Sequence, residues 1–194
     1  IGTLVIARQM RFVRTMDLGL DKERVIALPV QDESALDRIE TLAENVGRLP
    51  GVASAAASSF RPGPSVWRQN YWREGMGANE YPTIAWLAVD AGFCTTLDIG
   101  LTAGRDFSRE RPSDRGAAYL LNEAAVRELG WASPEAAVGQ AFKIVDKGTV
   151  IGVVKDFHFD SLHKDVEPLA LCVYKPGLEN LYVRLRPGSI AATL

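Results

Sequence analysis

The stretch Asp156-Phe157-His158-Phe159-Asp160-Ser161-Leu162-His163 holds both histidines of the chain together with two carboxylates. Imidazoles and carboxylates are the groups that ligate divalent metals or move protons, so chemistry is sought here first. Their spacing argues against a metal centre. His158 and His163 are five residues apart, which places them on opposite faces of a strand and about 140° apart on a helix. Asp156, His158 and Asp160 share one strand face, but an extended rise of about 3.3 Å per residue spreads three ligands too far for a compact site unless the chain bends. These three are weak metal candidates, and no metal site is expected. In the structural reading Phe157 and Phe159 fill core while the polar neighbours fix the strand exit by hydrogen bonds. The chemical rival is a hydrolase that uses His158 with Asp156 or Asp160, separable by an activity screen against His158→Ala. No G-x-S-x-G, Walker or G-x-G-x-x-G pattern occurs, so neither a nucleophile elbow nor a backbone cradle for phosphate is encoded. Neither a catalytic residue nor a cofactor is expected.

A second group is aromatic. Trp67, Tyr71 and Trp72 lie between Phe60 and Glu80, where Pro62, Gly63, Pro64, Gly75 and Gly77 break regular structure. Either the rings fold back as a satellite cluster beneath a long loop, or they form a tip that docks a partner, as exposed Trp and Tyr do at interface hot spots. Cys94 and Cys172 lack C-x-x-C spacing and sit in apolar surroundings. Two buried thiols are expected, with one long-range disulfide as the alternative.

Composition narrows the classes. The 194 residues are 47% hydrophobic and 24% charged, with 22 basic against 24 acidic side chains and a net charge of -2. That is an ordinary globular balance, which excludes collagen-like, coiled-coil and disordered chains. Without a broad electropositive face, nucleic-acid binding loses the electrostatic attraction it depends on. No apolar run approaches the roughly 20 residues needed to span a bilayer, and the start lacks the regions of a signal peptide.

The elements that must position these groups read as α+β. Residues 3–16 form a basic amphipathic helix that starts without a cap, and Ser189 opens a helix broken off after one turn, so both ends are expected to continue in a longer protein. Arg24 to Val30 is a strand, apolar on both faces and therefore expected at the sheet centre. A helix capped by Ser34 and stopped at Pro50-Gly51 leads to the strand Val52 to Ser59. These two strands are expected as parallel neighbours in a right-handed unit. Thr83 to Val89 is a strand and Gly92 to Ile99 a short helix. Ala117 to Leu121 runs into Asn122 as N-cap, with Gly130 closing that helix and Ser133-Pro134 opening the next. Gln140 to Val145 is a strand, with a turn around Lys147-Gly148. From Val150 to about Phe159 a strand is expected to carry Ile151, Val153, Phe157 and Phe159 on one face and Val154, Asp156 and His158 on the other. Leu169 to Tyr174 is internal, and Leu181 to Arg186 half-exposed.

Several stretches in combination resemble the extracytoplasmic domain of MacB-like and FtsX-like ABC transporter permeases. They are Gln9 with Asp17-Leu18-Gly19-Leu20-Asp21-Lys22-Glu23-Arg24-Val25-Ile26, then Phe93-Cys94-Thr95-Thr96-Leu97-Asp98-Ile99-Gly100 with Gly104-Arg105-Asp106-Phe107, then Leu121-Asn122-Glu123-Ala124-Ala125 and Gly139-Gln140, and last Ile151 through Phe159 with Ser161-Leu162-His163. They span nearly the whole chain in the family's order. Cys94 departs from the usual residue there, which touches packing only. The resemblance implies a stalk helix over 1–16, a mixed-sheet porter-like subdomain containing the strand-helix-strand unit and built from 17–90 and 150–194, and a smaller inserted α+β, Sabre-like subdomain over 91–149. It also implies a non-catalytic domain on the periplasmic face of the bacterial inner membrane, within a multi-pass homodimeric permease. The expected role is to transmit movement driven by a separate cytoplasmic ABC ATPase, with a periplasmic adaptor or substrate protein as further partner. The alternative is an extracytoplasmic ligand-binding or sensory domain of another membrane protein. The isolated fragment is expected to be monomeric.

Overall fold

Val25 is the first strand residue in a computed structural model that describes residues 24–61, 66–77, 79–160 and 165–187. The helix expected over 3–16, the turn capped by Ser189, and His163 lie outside the described residues. In chain order the elements are β1 (Val25–Pro29), α1 (Glu33–Leu36), α2 (Ile39–Gly47), β2 (Val52–Ser58), β3 (Trp67–Asn70), β4 (Trp72–Arg73), β5 (Thr83–Val89), α3 (Phe93–Leu97), β6 (Leu101–Gly104), a 3₁₀ turn (Pro112–Asp114), β7 (Ala118–Asn122), α4 (Glu123–Glu128), α5 (Pro134–Ala137), β8 (Ala141–Lys143), β9 (Lys147–Val154), β10 (Leu169–Val173) and β11 (Asn180–Leu185). The class is α+β, with one mixed sheet in the order β1-β11-β2-β5-β10-β7-β9-β8-β4. β5 with β10 and β7 with β9 are parallel, and the other pairs are antiparallel.

The strand-helix-strand unit is split. β1 and β2 both run antiparallel to β11, which lies between them, so they are parallel but not neighbours as expected. β1 is an edge strand with Leu28 46% exposed, which overturns its expected central place. Apolar residues on both faces show what a strand can bury, not how many strands flank it. The same arrangement buries β11, expected half-exposed: Leu181, Val183 and Leu185 pack with Ala43 of α2, and Tyr182 packs on the other side. The first helix is capped by Asp32, not Ser34. The Asp32 carboxylate accepts from the Ala35 amide at 2.9 Å and from the Ser34 hydroxyl, and a break at Asp37-Arg38 separates α1 from α2.

Period-2 alternation divides the central strands between two cores. Leu87, Leu120, Leu169 and Leu171 join Phe93 and Cys94 on one side. Trp86, Tyr119, Leu121, Ala170 and Cys172 join α4 and α5 on the other. The two cysteines are free, buried and in different cores, which removes the disulfide alternative. Burial pushes the Cys172 thiol up to about 12 and raises Cys94 also.

The 60–80 stretch is not simply a loop. β3 pairs with β5, β4 pairs with β8, and only Tyr71 separates them. This bent pair ties together the two ends of the run β5-β10-β7-β9-β8, satisfying backbone groups that would otherwise form open edges.

Two further boundaries move. β9 begins at Lys147, where a turn was expected, and ends at Val154 rather than near Phe159. The turn lies at 144–146 instead, where the Tyr119 hydroxyl accepts from the Ile144 and Val145 amides and donates to the Asp146 carbonyl at 2.6 Å. The alternation lapses inside β9, at the register shift between Val150 and Gly152. Ile151 and Val154 pack in the core that holds Phe157 and Phe159, whereas Val150 and Val153 lie in the other, so Ile151 and Val153 do not share the face expected of them.

Candidate functional site

The capping residues hold as expected. Asn122 accepts from the Ala125 amide at 2.9 Å, Ser133 accepts from the Ala136 amide, and Gly130 is left-handed with φ 74°. Asn122 does more than cap. Fully buried, its side chain also accepts from the Leu169 amide and donates to the Glu167 carbonyl, both at 2.9 Å. It thereby joins the end of β7, the start of α4 and the approach to β10.

Asp156, two residues beyond the end of β9, completes this junction. One carboxylate oxygen accepts from the Ala124 amide in the first turn of α4, the other accepts from Arg127, each at 2.8 Å, and the Asp156 amide donates to Glu123. Phe157 and Phe159 are buried in core and His158 is half-buried between them. Among the described residues no three His, Cys, Asp or Glu side chains are grouped to hold a metal ion. The arrangement fastens the strand exit to a helix start. Asn122→Ala removes three hydrogen bonds from a buried position and is expected to destabilise the domain by about 2–4 kcal/mol. Asp156→Asn keeps an acceptor for Ala124 and weakens only a pair to the exposed Arg127, so it should cost about 1 kcal/mol or less. Urea denaturation of both variants checks the contrast, and equal losses would contradict it.

The aromatic candidates separate. Trp67 lies opposite Trp86 in the β3–β5 register, with ring centroids 5.2 Å apart, and its ring packs on Gly177, where a side chain would overlap it. Tyr71 stacks on Phe142 at 5.5 Å. Trp72 lies on β4 with Lys147 Nζ 5.4 Å from its ring centroid. Trp67 is 40% and Trp72 37% exposed, so each keeps part of its ring on the surface, at separate places along the closing strands.

Sequence reasoning gave no role to the Gly104-Arg105-Asp106-Phe107 stretch. Gly104, with φ 73°, and Gly152 let β6 and β9 approach closely, and the Arg105 amide donates to the Ile151 carbonyl at 3.0 Å. The Arg105 guanidinium then makes a two-pronged pair with the buried Asp114, at 2.7 and 2.8 Å. That partner lies in the 3₁₀ turn nine residues on, a contact no periodic pattern announces.

The start of β1 and the end of β11 meet. Leu185 donates to the Arg24 carbonyl and Arg186 to the Gly51 carbonyl, each at 2.8 Å. The described chain thus enters and leaves at one corner of the sheet.

The profile described as the MacB-like periplasmic core domain matches residues 4–194. The chain belongs to that family. The fold agrees: this MacB-like domain is similar to the periplasmic region of MacB from Actinobacillus actinomycetemcomitans (TM-score 0.59, 11% identity, 90% of this chain and 81% of that one). It is also similar to the extracellular domain of the noncanonic ABC-type transporter YknZ from Gram-positive bacteria (TM-score 0.56, 16% identity, 87% and 88%). No curated protein matches it. A MacB-like periplasmic core domain is an extracytoplasmic part of an ABC transporter permease, generally without catalytic function.

Proposed function

We propose that this MacB-like domain is a transmitter. In the full-length permease, ATP hydrolysis by a separate cytoplasmic ABC ATPase shifts the membrane segments, and the domain carries that shift outward to drive export or extrusion of substrate. The observation that carries the reading is the corner where Leu185 donates to Arg24 and Arg186 to Gly51. Segments before Arg24 and after Pro187 leave a body built on one continuous sheet at a single place. Force applied there turns the sheet as a unit, which suits a lever whose motion is confined to its junction. The same proposal takes 17–90 with 150–194 as the porter-like part and 91–149 as the Sabre-like part. It includes a homodimeric permease in the inner membrane, and an adaptor or substrate protein that docks at Trp67, Tyr71 and Trp72.

The test uses the full-length permease reconstituted with its ATPase. A flexible Gly-Ser insertion between Glu23 and Arg24 is expected to leave ATP hydrolysis in place and abolish export. Export at the unmodified rate would overturn the lever.

A further inference from the structure

The sheet is continuous, but it narrows between β2 and β5. Among the described residues their register holds the single pair Ser58–Val89. Two backbone bonds flank it: the Ser59 amide donates to the Ala88 carbonyl at 2.8 Å and the Asp90 amide to the Ala57 carbonyl at 2.9 Å. On one side of this neck β1, β11 and β2 carry α2 and share a core of Ala43, Val52, Leu181, Val183 and Leu185. On the other side β10 follows β5 from Ala85 to Val89, and the rest of the sheet continues from there. Cross-strand pairs are what fix one strand against the next, so a seam with one pair resists twisting far less than a full ladder. Beside the neck lies a groove of about 530 Å³ lined by residues of α2, β2 and α3 and by Arg109. The two parts therefore meet at a narrow joint with space next to it.

Apolar packing also crosses the joint, with Phe60 stacked on Tyr182 and edge-on to Phe93. Such contact is non-directional and does not by itself set an angle. Directional contact comes from arginines. The 105–115 segment is tied to the larger part at both ends, since the Arg105 amide donates to the Ile151 carbonyl and the Gly116 amide to the Val173 carbonyl, each at 3.0 Å. The Arg105–Asp114 pair closes it on itself. From this fixed segment Arg115 reaches Glu40 at 3.2 Å and Arg109 reaches Glu44 at 3.9 Å. Both acids belong to α2, four residues apart and so one turn apart on one helix face. Arg109 is aimed by the buried Asp90, just past the end of β5, at 3.1 Å. One further bond, from Arg184 Nε to the Thr96 carbonyl at 2.7 Å, joins β11 to α3.

We propose that Arg109 and Arg115 form a releasable clamp across a joint built into the sheet. While both ion pairs are made, α2 with β1, β11 and β2 is held at one angle and the two parts move as one body. When they are released, the smaller part rotates about the Ser58–Val89 pair, a hinge motion confined to the neck. Exposure suits release. The Arg109 side chain is 45% and that of Arg115 61% exposed, and exposed pairs are weak and screened by salt. The clamp deepens the lever reading and rests on it for its effect on export, but not for the joint itself.

The test measures the joint by double electron-electron resonance on the 194-residue chain, with spin labels on Leu28→Cys of β1 and Lys143→Cys of β8, both exposed positions. Cys94 and Cys172 are buried and take no label. Glu40→Ala with Glu44→Ala removes both acids from α2 and leaves the Asp90–Arg109 pair in place. Losing two exposed pairs raises the released population by up to about tenfold, so the distance distribution is expected to widen about twofold. The variant should still melt cooperatively, within about 5 °C of the parent chain. Exchanging the charges, Glu40→Arg with Arg115→Glu, is expected to keep the parent width. Should the double variant not fold, Arg115→Ala, which alters a side chain 61% exposed, is expected to widen the distribution in its place. An unchanged width overturns the clamp. A widening equally large in the charge-exchanged chain overturns the ion pairs as its cause. In the reconstituted full-length permease the double variant is expected to lose most export at unchanged ATP hydrolysis. A widened distribution with export at the unmodified rate supports the clamp and overturns the lever, so the two readings fail separately.

Discussion

Alanine at Gly104 is expected to destabilise the domain by about 3–4 kcal/mol and to lower its melting temperature by roughly 10 °C. Two costs combine. Gly104 has φ 73°, a left-handed backbone that side chains adopt at a cost of about 1 kcal/mol. Its missing Cβ also points into β9: an added methyl would overlap the Ile151 carbonyl oxygen and come within 2.6 Å of Gly152 Cα. Those are backbone atoms, so relief requires β6 to move off β9. Gly130 separates the two costs, because it has φ 74° but nothing within 4 Å of an added Cβ. Gly130→Ala should therefore lose only about 1 kcal/mol. Thermal and urea denaturation of the two variants side by side measure the difference. Similar losses would mean that the β6–β9 approach is not as tight as described.

The second large effect is at Arg105. Asp114 is 2% exposed and accepts two hydrogen bonds from Arg105 and one from the Ser108 amide at 3.0 Å. Arg105→Ala leaves that carboxylate buried without its countercharge, which costs about 3–5 kcal/mol for a fully buried pair. Because the Arg105 side chain is 36% exposed and water replaces part of what it supplies, about 2–3 kcal/mol is expected here. The effect depends on pH with a definite sign. The Arg105 guanidinium, through its hydrogen bonds, holds the Asp114 carboxyl below its ordinary value. A depressed native value contributes stability that is present above the unfolded value and lost as pH falls through the native one. The gap between wild type and Arg105→Ala should thus be full at neutral pH and close below about pH 4. Asp90 and Asp106 are shifted upward by burial and oppose this trend. Asp90 is common to both proteins and cancels in the difference, whereas Arg105 also draws Asp106 down, so its removal adds a smaller contribution of the same sign as that of Asp114. A gap that stayed constant down to about pH 2 would show that Arg105 acts through packing alone.

Local structure was the legible part. Asn122, Ser133-Pro134 and Gly130 mark helix ends because caps and left-handed residues are decided within a few bonds of the chain. The buried strands β5, β7 and β10 were equally readable, since their uninterrupted apolar runs have to be covered on both faces. The resemblance also followed from sequence, because it rested on the order of short stretches along nearly the whole chain rather than on any contact between them.

Tertiary structure alone decided which strand lies beside which. An apolar strand such as β1 satisfies its pattern at an edge as well as at the centre, and only the insertion of β11 between β1 and β2 settled the matter. Trp67 and Trp72 sat with Tyr71 among breakers and read as loop, because pairing with β5 and with the distant β8 is what makes Trp67 and Trp72 strand. The 156–163 stretch offered chemistry by residue type, but Ala124 and Arg127, some thirty residues earlier, take both oxygens of Asp156.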